Sequence, residues 1–387
     1  METISLQLLT GCEGVETMSL EKDQISSNQL SVLGLLCVVG DMALVYPAAM
    51  STAAHQDAWI AGLVSIPLGL GIIKLLLVLS KINEKQTVIE LSTQVLGRWV
   101  GGAVAVSYLF FFLICCATYI REVEDFLTTQ IYEGTPGEVI RLMTIILLVY
   151  GLRLGVGTLG RASQVFLPFF VFFLVCLFVL LLPEVKIGRV QPFLNTPPAN
   201  FLSSLMFGVF YPFGEMCVFL MVLPFVKKEK STNRKLFISL IIGSLGLNII
   251  LFLSLTVLGV YFSEHEFYAA YILAQTINIG NFLQRLEALM ATTWIISTYF
   301  KTVLFFHAFI LGSAQMLKLK SYHTLIFPAG FLLFGLSRLI AKDIILYIKE
   351  IPEFWVDWDL THALLLPLVL LLVNKIRVNV RRRQPEG

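Results

Sequence analysis

Charged residues are scarce in this chain: of its 387 residues, 14% are Asp, Glu, Lys or Arg and 57% are hydrophobic. A soluble domain contains about 25% charged and roughly 45–50% apolar residues. The mean hydropathy is +0.82. Together these values exclude an ordinary soluble domain and predict an all-α polytopic membrane protein, because helices satisfy their own backbone hydrogen bonds in lipid.

Patterns for catalysis and metal binding are also missing. The six cysteines lack metal-ligand spacing, and the chain has no phosphate-binding loop, nucleophile elbow or HExxH motif. Residues 155–160 match G-x-G-x-x-G, but they lie between two apolar runs without a strand. A membrane-embedded enzyme is therefore disfavoured, and we expect no cofactor or metal. Without a basic run mixed with aromatics, nucleic acid is not expected as a partner either.

Apolar runs dominate what is present, and about ten are long enough to cross a bilayer, which takes about 20 residues. We expect a cytoplasmic arm at 1–27, a first five-helix repeat at 28–183, a second at 184–378 and a basic cytoplasmic tail at 379–387. The predicted spans, numbered 1 to 10, cover 29–50, 58–79, 100–127, 139–159, 163–183, 201–226, 236–262, 284–312, 324–341 and 360–378.

Lysine and arginine concentrate in alternate junctions, such as residues 227–235 after span 6, and in the C-terminal tail. Since such residues accumulate on the cytoplasmic side, both termini are predicted to be cytoplasmic. The acidic and aromatic stretch at 350–359 is then expected on the outer face, with Trp355 and Trp358 at the membrane interface.

Two spans are interrupted in their middle. Span 6 carries Pro212, Gly214 and Glu215, and we expect a half-helix that begins near Gly214 and aims free N–H groups into a cavity. Span 1 carries Gly40, Asp41 and Pro47. Broken spans at matching positions of two five-span halves predict a 5+5 inverted-repeat transporter fold.

The candidate ligand site therefore lies between spans 1 and 6. Freed N–H groups would take the carboxylate of a small zwitterion, an acidic side chain its ammonium, and aromatic rings its aliphatic part. Alternatively, Glu215 only offsets the helix dipole. The candidate ligand-binding residues are Gly40, Asp41, Tyr46, Pro47, Tyr211, Pro212, Phe213, Gly214 and Glu215.

Polar residues on spans 3 and 8 are candidates for a flanking role. Glu287, Trp294 and Lys301 recur every seven residues and so share one helix face. A buried cation there could replace a coupling ion or lock one conformation, or it could serve structural ion pairing alone. On span 3, Arg121 and Asp125 can pair at what we expect to be a solvated helix end.

Four passages resemble the B subunit of bacterial spore-germination nutrient receptors, a branch of the LeuT-like amino acid–polyamine–organocation transporter superfamily. They are residues 25–30, 55–60, 211–216 and 285–289, the last followed by Trp294 and Lys301. The resemblance covers about residues 24–378 and implies ten spans in the inner membrane of a spore. It places the ligand between spans 1 and 6, flanked by Tyr119, Arg285, Glu287, Trp294 and Lys301.

The resemblance further implies partnership with an A subunit and a lipoprotein C subunit, and a small nutrient as ligand. Asp41 departs from the small uncharged residue expected after Gly40. Two acids near the site would favour a cationic ligand or demand a basic partner. The resulting hypothesis is a nutrient-sensing receptor subunit; the alternative is a proton- or ion-coupled transporter of amino acids or polyamines.

Overall fold

A computed structural model describes residues 24–277, 287–341 and 354–383, and these residues are almost entirely helical. Three short π-helical turns, Leu127–Ile131, Ser254–Leu258 and Thr361–Leu365, extend or join helices. The helices are α1 (Ser27–Val39), α2 (Met42–Ala54), α3 (Ala58–Ser80), α4 (Val88–Leu96), α5 (Arg98–Phe126), α6 (Gly137–Arg153), α7 (Val156–Leu181), α8 (Pro198–Gly214), α9 (Phe219–Val222), α10 (Thr232–Leu253), α11 (Val260–His265), α12 (Ala269–Gln275), α13 (Glu287–Met316), α14 (Ile326–Leu339), α15 (354–360) and α16 (Leu366–Arg383).

Seven helical stretches of the described residues are long and apolar enough to cross a membrane, and one of them, Met42–Ser80, contains both α2 and α3. The shorter α1, α6 and α14 have 13, 17 and 14 residues. With α1 and α2 taken as span 1, the helices reproduce the ten predicted spans. In order, these are α1–α2, α3, α5, α6, α7, α8–α9, α10, α13, α14 and α15–α16.

Burial separates spans in the middle of the bundle from those at its edge. In the most apolar window of span 6, 89% of the residues are buried, against 17% for span 5 and for span 10. Phe169 and Phe172 of span 5 are accordingly exposed, as lipid-facing side chains are. Span 6 lies inside the bundle, where α8 packs against α2 and α3.

The cytoplasmic ends predicted for spans 1 and 6 are joined by a short strand pair. β1 (Ile25–Ser26) pairs in parallel with β2 (Val226–Lys227), the one departure from an all-α fold among the described residues. Ser26 then caps α1 through a reciprocal bond with Gln29. Ile25 is fully buried, so the last residues of the predicted arm 1–27 pack against the helices.

At the other end of span 1, Asp57 anchors the connection between spans 5 and 6. Its buried carboxylate accepts hydrogen bonds from the backbone N–H groups of Leu194, Asn195 and Thr196, at 2.7 to 2.9 Å, and from the Thr196 hydroxyl. Burial raises the pKa of the Asp57 carboxyl, but these bonds outweigh it and hold the pKa below its ordinary value.

This anchor predicts an acid-sensitive contribution to stability. Asp57 stabilises the fold fully above the ordinary carboxyl pKa of about 3.9, and this contribution is lost as the pH falls through the lower folded-state pKa. Asp57→Asn should cost about 1.5–3 kcal/mol at neutral pH and flatten the acid limb of a thermal-unfolding profile. The control is Asp357→Asn, since Asp357 is exposed; equal profiles for the two variants would contradict the anchor.

Candidate functional site at the crossing of spans 1, 6, 8 and 10

Span 1 is interrupted at Gly40 and Asp41, between the end of α1 at Val39 and the start of α2 at Met42. Gly40 has a φ of +34°, and a side chain there would collide with Lys301. The predicted interruption is therefore confirmed at Gly40. Pro47 was expected to contribute to it, but it lies inside α2. That part of the expectation is wrong, because a proline in the second turn removes only one hydrogen bond.

Span 8 satisfies the carbonyl groups that the interruption frees. The indole Nε1 of Trp294 donates to the Asp41 carbonyl oxygen at 2.9 Å, and the Ser297 hydroxyl donates to the Gly40 carbonyl oxygen at 2.9 Å. The Trp294, Ser297 and Asp41 side chains are all buried. The seven-residue spacing thus correctly placed Trp294 and Lys301 on one face, and that face lies against the interruption.

Span 6 differs from the expectation. Helix α8 continues through Pro212 to Gly214, and the chain then tightens into a 3-10 turn at Glu215–Val218 before α9. The predicted half-helix with unwound backbone at Gly214 is wrong. A 3-10 turn still forms hydrogen bonds three residues apart, so span 6 changes helix type without extending, and Glu215 stays fully buried.

A single buried cation joins the two interrupted spans. The Lys301 ammonium forms ion pairs with the carboxylates of Asp41 on span 1 and Glu215 on span 6. It also lies 4.7 Å from the ring centroid of Tyr119 on span 3, within cation–π distance. None of the three ion-paired side chains is more than 1% exposed. Lys301 is thus the basic partner that we expected if two acids, Asp41 and Glu215, lie near the site.

Span 10 completes the site with residues that the sequence analysis placed elsewhere. Trp355 was expected at the membrane interface, but it is buried and its Nε1 donates to Glu215 Oε1 at 2.9 Å. Asp359, expected on the outer face, is fully buried beside Gly214. The cause is a boundary error: helix already covers residue 354, not only 360–378. The four-residue spacing of Trp355 and Asp359 was the available signal.

The aromatic residues of spans 1 and 6 that we expected to bind the ligand do not all face the same region. Tyr211 lies beside the site, with its ring stacked 6.0 Å from that of Trp355. Phe213 packs against Gly69 of α3, where only a glycine leaves room for its ring. The Tyr46 hydroxyl also lies against α3, near Gly62. Tyr46 and Phe213 therefore pack against span 2, whereas Tyr211 lies next to the ion cluster.

A second ionic group lies at the end of span 3. Arg121 donates to Asp125 at 2.8 and 2.9 Å, as predicted, and Arg141 of span 4 forms a two-bond pair with Glu124. The expected solvated helix end is wrong: Arg121 and Asp125 are each 8% exposed, because spans 3 and 4 pack together there. Glu287 begins the described part of span 8 and is half-buried; Arg285 lies outside the described residues.

The charge balance of the site limits its chemistry. Within the described part of the chain, Lys301 pairs with two carboxylates, Asp41 and Glu215. A third buried acid, Asp359, lies beside Gly214. No metal-binding group of three or more His, Cys, Asp or Glu occurs in that part. The centre presents both signs of charge. Because all four residues are closed off from solvent, a charged ligand could reach them only if the spans separated.

The Lys301 cluster predicts a specific stability pattern. Lys301→Met should destabilise the fold by about 3–5 kcal/mol, since it leaves two buried acids without a cation. Adding Asp41→Asn and Glu215→Gln should recover most of this loss, as measured by thermal unfolding in detergent. Lys74→Met, which removes an exposed lysine of span 2, is the control. Failure of the triple variant to recover stability would show that Lys301 acts by packing instead.

Comparison with known proteins gives independent evidence on the family and the fold. The sequence profile of a family described as "Spore germination protein" matches residues 24–344. Spore germination protein KB of Bacillus subtilis (strain 168) is 27% identical over 379 residues, covering 95% of this chain and 99% of that protein. Spore germination protein YndE of the same organism is 21% identical, covering 92% and 97%.

Among solved structures, the crystal structure of MhsT in complex with L-phenylalanine matches with a TM-score of 0.63. The match covers 91% of this chain and 98% of MhsT, at 10% sequence identity. At this identity the similarity establishes the fold alone. It confirms the predicted polytopic transporter-type fold over nearly the whole chain.

Proposed function

The chain belongs to the spore germination protein family, as the resemblance predicted, and from this premise we propose that it is the membrane subunit of a spore germinant receptor. In this proposal it binds a small nutrient, an amino acid, between spans 1 and 6 and thereby triggers germination. The family and the transporter-type fold support a germination-related membrane protein. Binding of a nutrient and the role as a receptor subunit are what the proposal adds to this.

The observation that carries the proposal is the ion cluster of Lys301 with Asp41 and Glu215. An amino acid offers the same two charges: its carboxylate can pair with Lys301, and its ammonium with Asp41 or Glu215. The similar MhsT structure is a complex with L-phenylalanine, which supports an amino acid as the class of ligand. Tyr211 and Trp355 border the cluster and could cover a side chain.

The closed cluster also suggests how binding would be sensed. A ligand shifts a conformational equilibrium only through its different affinity for the two states. In the closed state Lys301 pairs with residues of spans 1 and 6, so the internal charges are already satisfied. A zwitterion that separates these pairs would favour a state in which spans 1 and 6 lie further from span 8. Neighbouring subunits would read that movement.

Partners and location belong to the same proposal. We place the chain in the inner membrane of the spore, with both termini in the cytoplasm and with an A subunit and a lipoprotein C subunit beside it. The lysine and arginine of alternate junctions support this orientation. The strand pair of β1 and β2 then lies on the cytoplasmic side.

A transporter of amino acids or polyamines is the second candidate, favoured by the transporter-type fold. Uptake of labelled amino acid by proteoliposomes containing only this chain would favour transport. Spores that lack the chain should lose germination in response to its nutrient under the receptor proposal, without loss of uptake. Lost uptake together with unchanged germination would reject the receptor role.

The ligand class can be tested with Glu215→Gln. Purified protein is screened for binding of amino acids, nucleosides and sugars, and the variant is compared for each ligand that binds. Loss of one charge-assisted hydrogen bond, worth about 1.5–3 kcal/mol, should weaken the binding of amine-bearing ligands about 10- to 100-fold. Glu229→Gln, at an exposed carboxylate of the junction after span 6, should have no effect. An equal loss for uncharged sugars would assign Glu215 a structural role.

A further inference from the structure

Asp359 is a buried acid that has no hydrogen-bond partner among the described residues. It lies on α15, its side chain is fully buried, and neither carboxylate oxygen has a hydrogen-bond partner among the described residues. A Cβ atom added to Gly214 would come within 2.8 Å of the Asp359 Cβ, so the side chain is pressed against span 6. Lys301 forms its two ion pairs without Asp359.

The surroundings of Asp359 contain more negative than positive charge. Among the described residues no ion pair joins Asp359 to a cation, and Lys301, the cation of the neighbouring cluster, already pairs with Asp41 and Glu215. Glu215 itself also accepts from Trp355, one helical turn before Asp359. The titratable and charged groups close enough to interact electrostatically with Asp359 are Glu215, Cys217 and Tyr211 of span 6, Lys301 of span 8, Asp41 of span 1 and Cys115 of span 3.

A third negative charge at this place would be costly. The effective penalty for burying an unpaired ion is several kcal/mol even after the protein relaxes. Acidic side chains inside a membrane bundle therefore pair, or they mark the path of an ion or proton. A hydrated metal cation needs several oxygen ligands and room for them, but the close approach of Gly214 leaves little space. A proton needs no cavity.

We propose that Asp359 is a proton-binding site whose carboxyl group is protonated in the closed state. The proton neutralises Asp359, which has no ion-pair partner because Lys301 already pairs with two acids. The cluster then holds one cation, Lys301, and two carboxylates, Asp41 and Glu215. The proton sits on the carboxyl of a span 10 side chain that packs directly on Gly214 of span 6, one residue before Glu215.

This position links the proton to movement of span 6. When span 6 moves away from span 10, water reaches Asp359, and the carboxyl can release its proton because the ion is then solvated. Opening would thus become more favourable as the pH rises. This coupling rests on the proposed function, whereas protonation in the closed state does not.

Infrared difference spectroscopy of the purified chain in lipid nanodiscs tests the protonation directly. Wild type at neutral pH should show the carbonyl stretch of a protonated carboxyl group, and Asp359→Asn should lose it. Asp357→Asn, two residues away and exposed, should retain the band. Absence of the band in wild type, or its persistence in Asp359→Asn, would overturn the proposal.

Thermal stability gives a second measurement, which distinguishes a protonated Asp359 from an ionised, ion-paired one. Asn is neutral and similar in shape to protonated Asp, so the Tm of Asp359→Asn should equal that of Asp357→Asn at neutral pH. A large selective fall would instead identify Asp359 as an ionised partner of Lys301. If Asp359→Asn does not accumulate, wild type grown with carboxyl-¹³C aspartate should show an isotope shift of the band; an unshifted band rejects the proposal. None of these outcomes depends on germinant binding.

Discussion

The ion pairs of Lys301 with Asp41 and Glu215 are the constraint on which the centre of the molecule depends. Lysine and both acids are closed off from water, so each charge is tolerable only because the others are present. The pairs fix the position of span 8 against spans 1 and 6 at the height where both are irregular. Gly40 is required there because a side chain would occupy the place of the Lys301 stem.

The rest of the site can be understood as support for this cluster. Trp294 and Ser297 satisfy the carbonyl groups that the turn at Gly40 frees. Tyr119 places a ring beside the ammonium, and Trp355 donates to Glu215. Spans 1, 3, 6, 8 and 10 thus meet at one polar centre inside an apolar bundle. Buried ion pairs add little net stability, so such a centre is compatible with the separation and closing of spans that the proposed function requires.

Several features of this centre were predictable from local patterns. Glycine next to aspartate in span 1 indicated an interruption, and it occurs there because Gly40 adopts a positive φ. The seven-residue spacing of Trp294 and Lys301 placed them on one face because an α-helix repeats regularly. Span 6 was less predictable: proline and glycine show that a regular helix is weakened, but not whether the chain extends or tightens into a 3-10 turn.

By itself, the sequence determined the membrane class, the number of spans and the two irregular spans, because hydropathy and helix-breaking residues act locally. Only the tertiary structure decided which charges meet. Lys301 lies 260 residues from Asp41, and Trp355 lies 140 residues from Glu215. Asp359 belongs to a stretch whose acids and aromatics are typical of an outer surface. The four-residue spacing of Trp355 and Asp359 shows that they share a helix face, but their burial follows from the packing of span 10 on span 6, which is a long-range contact.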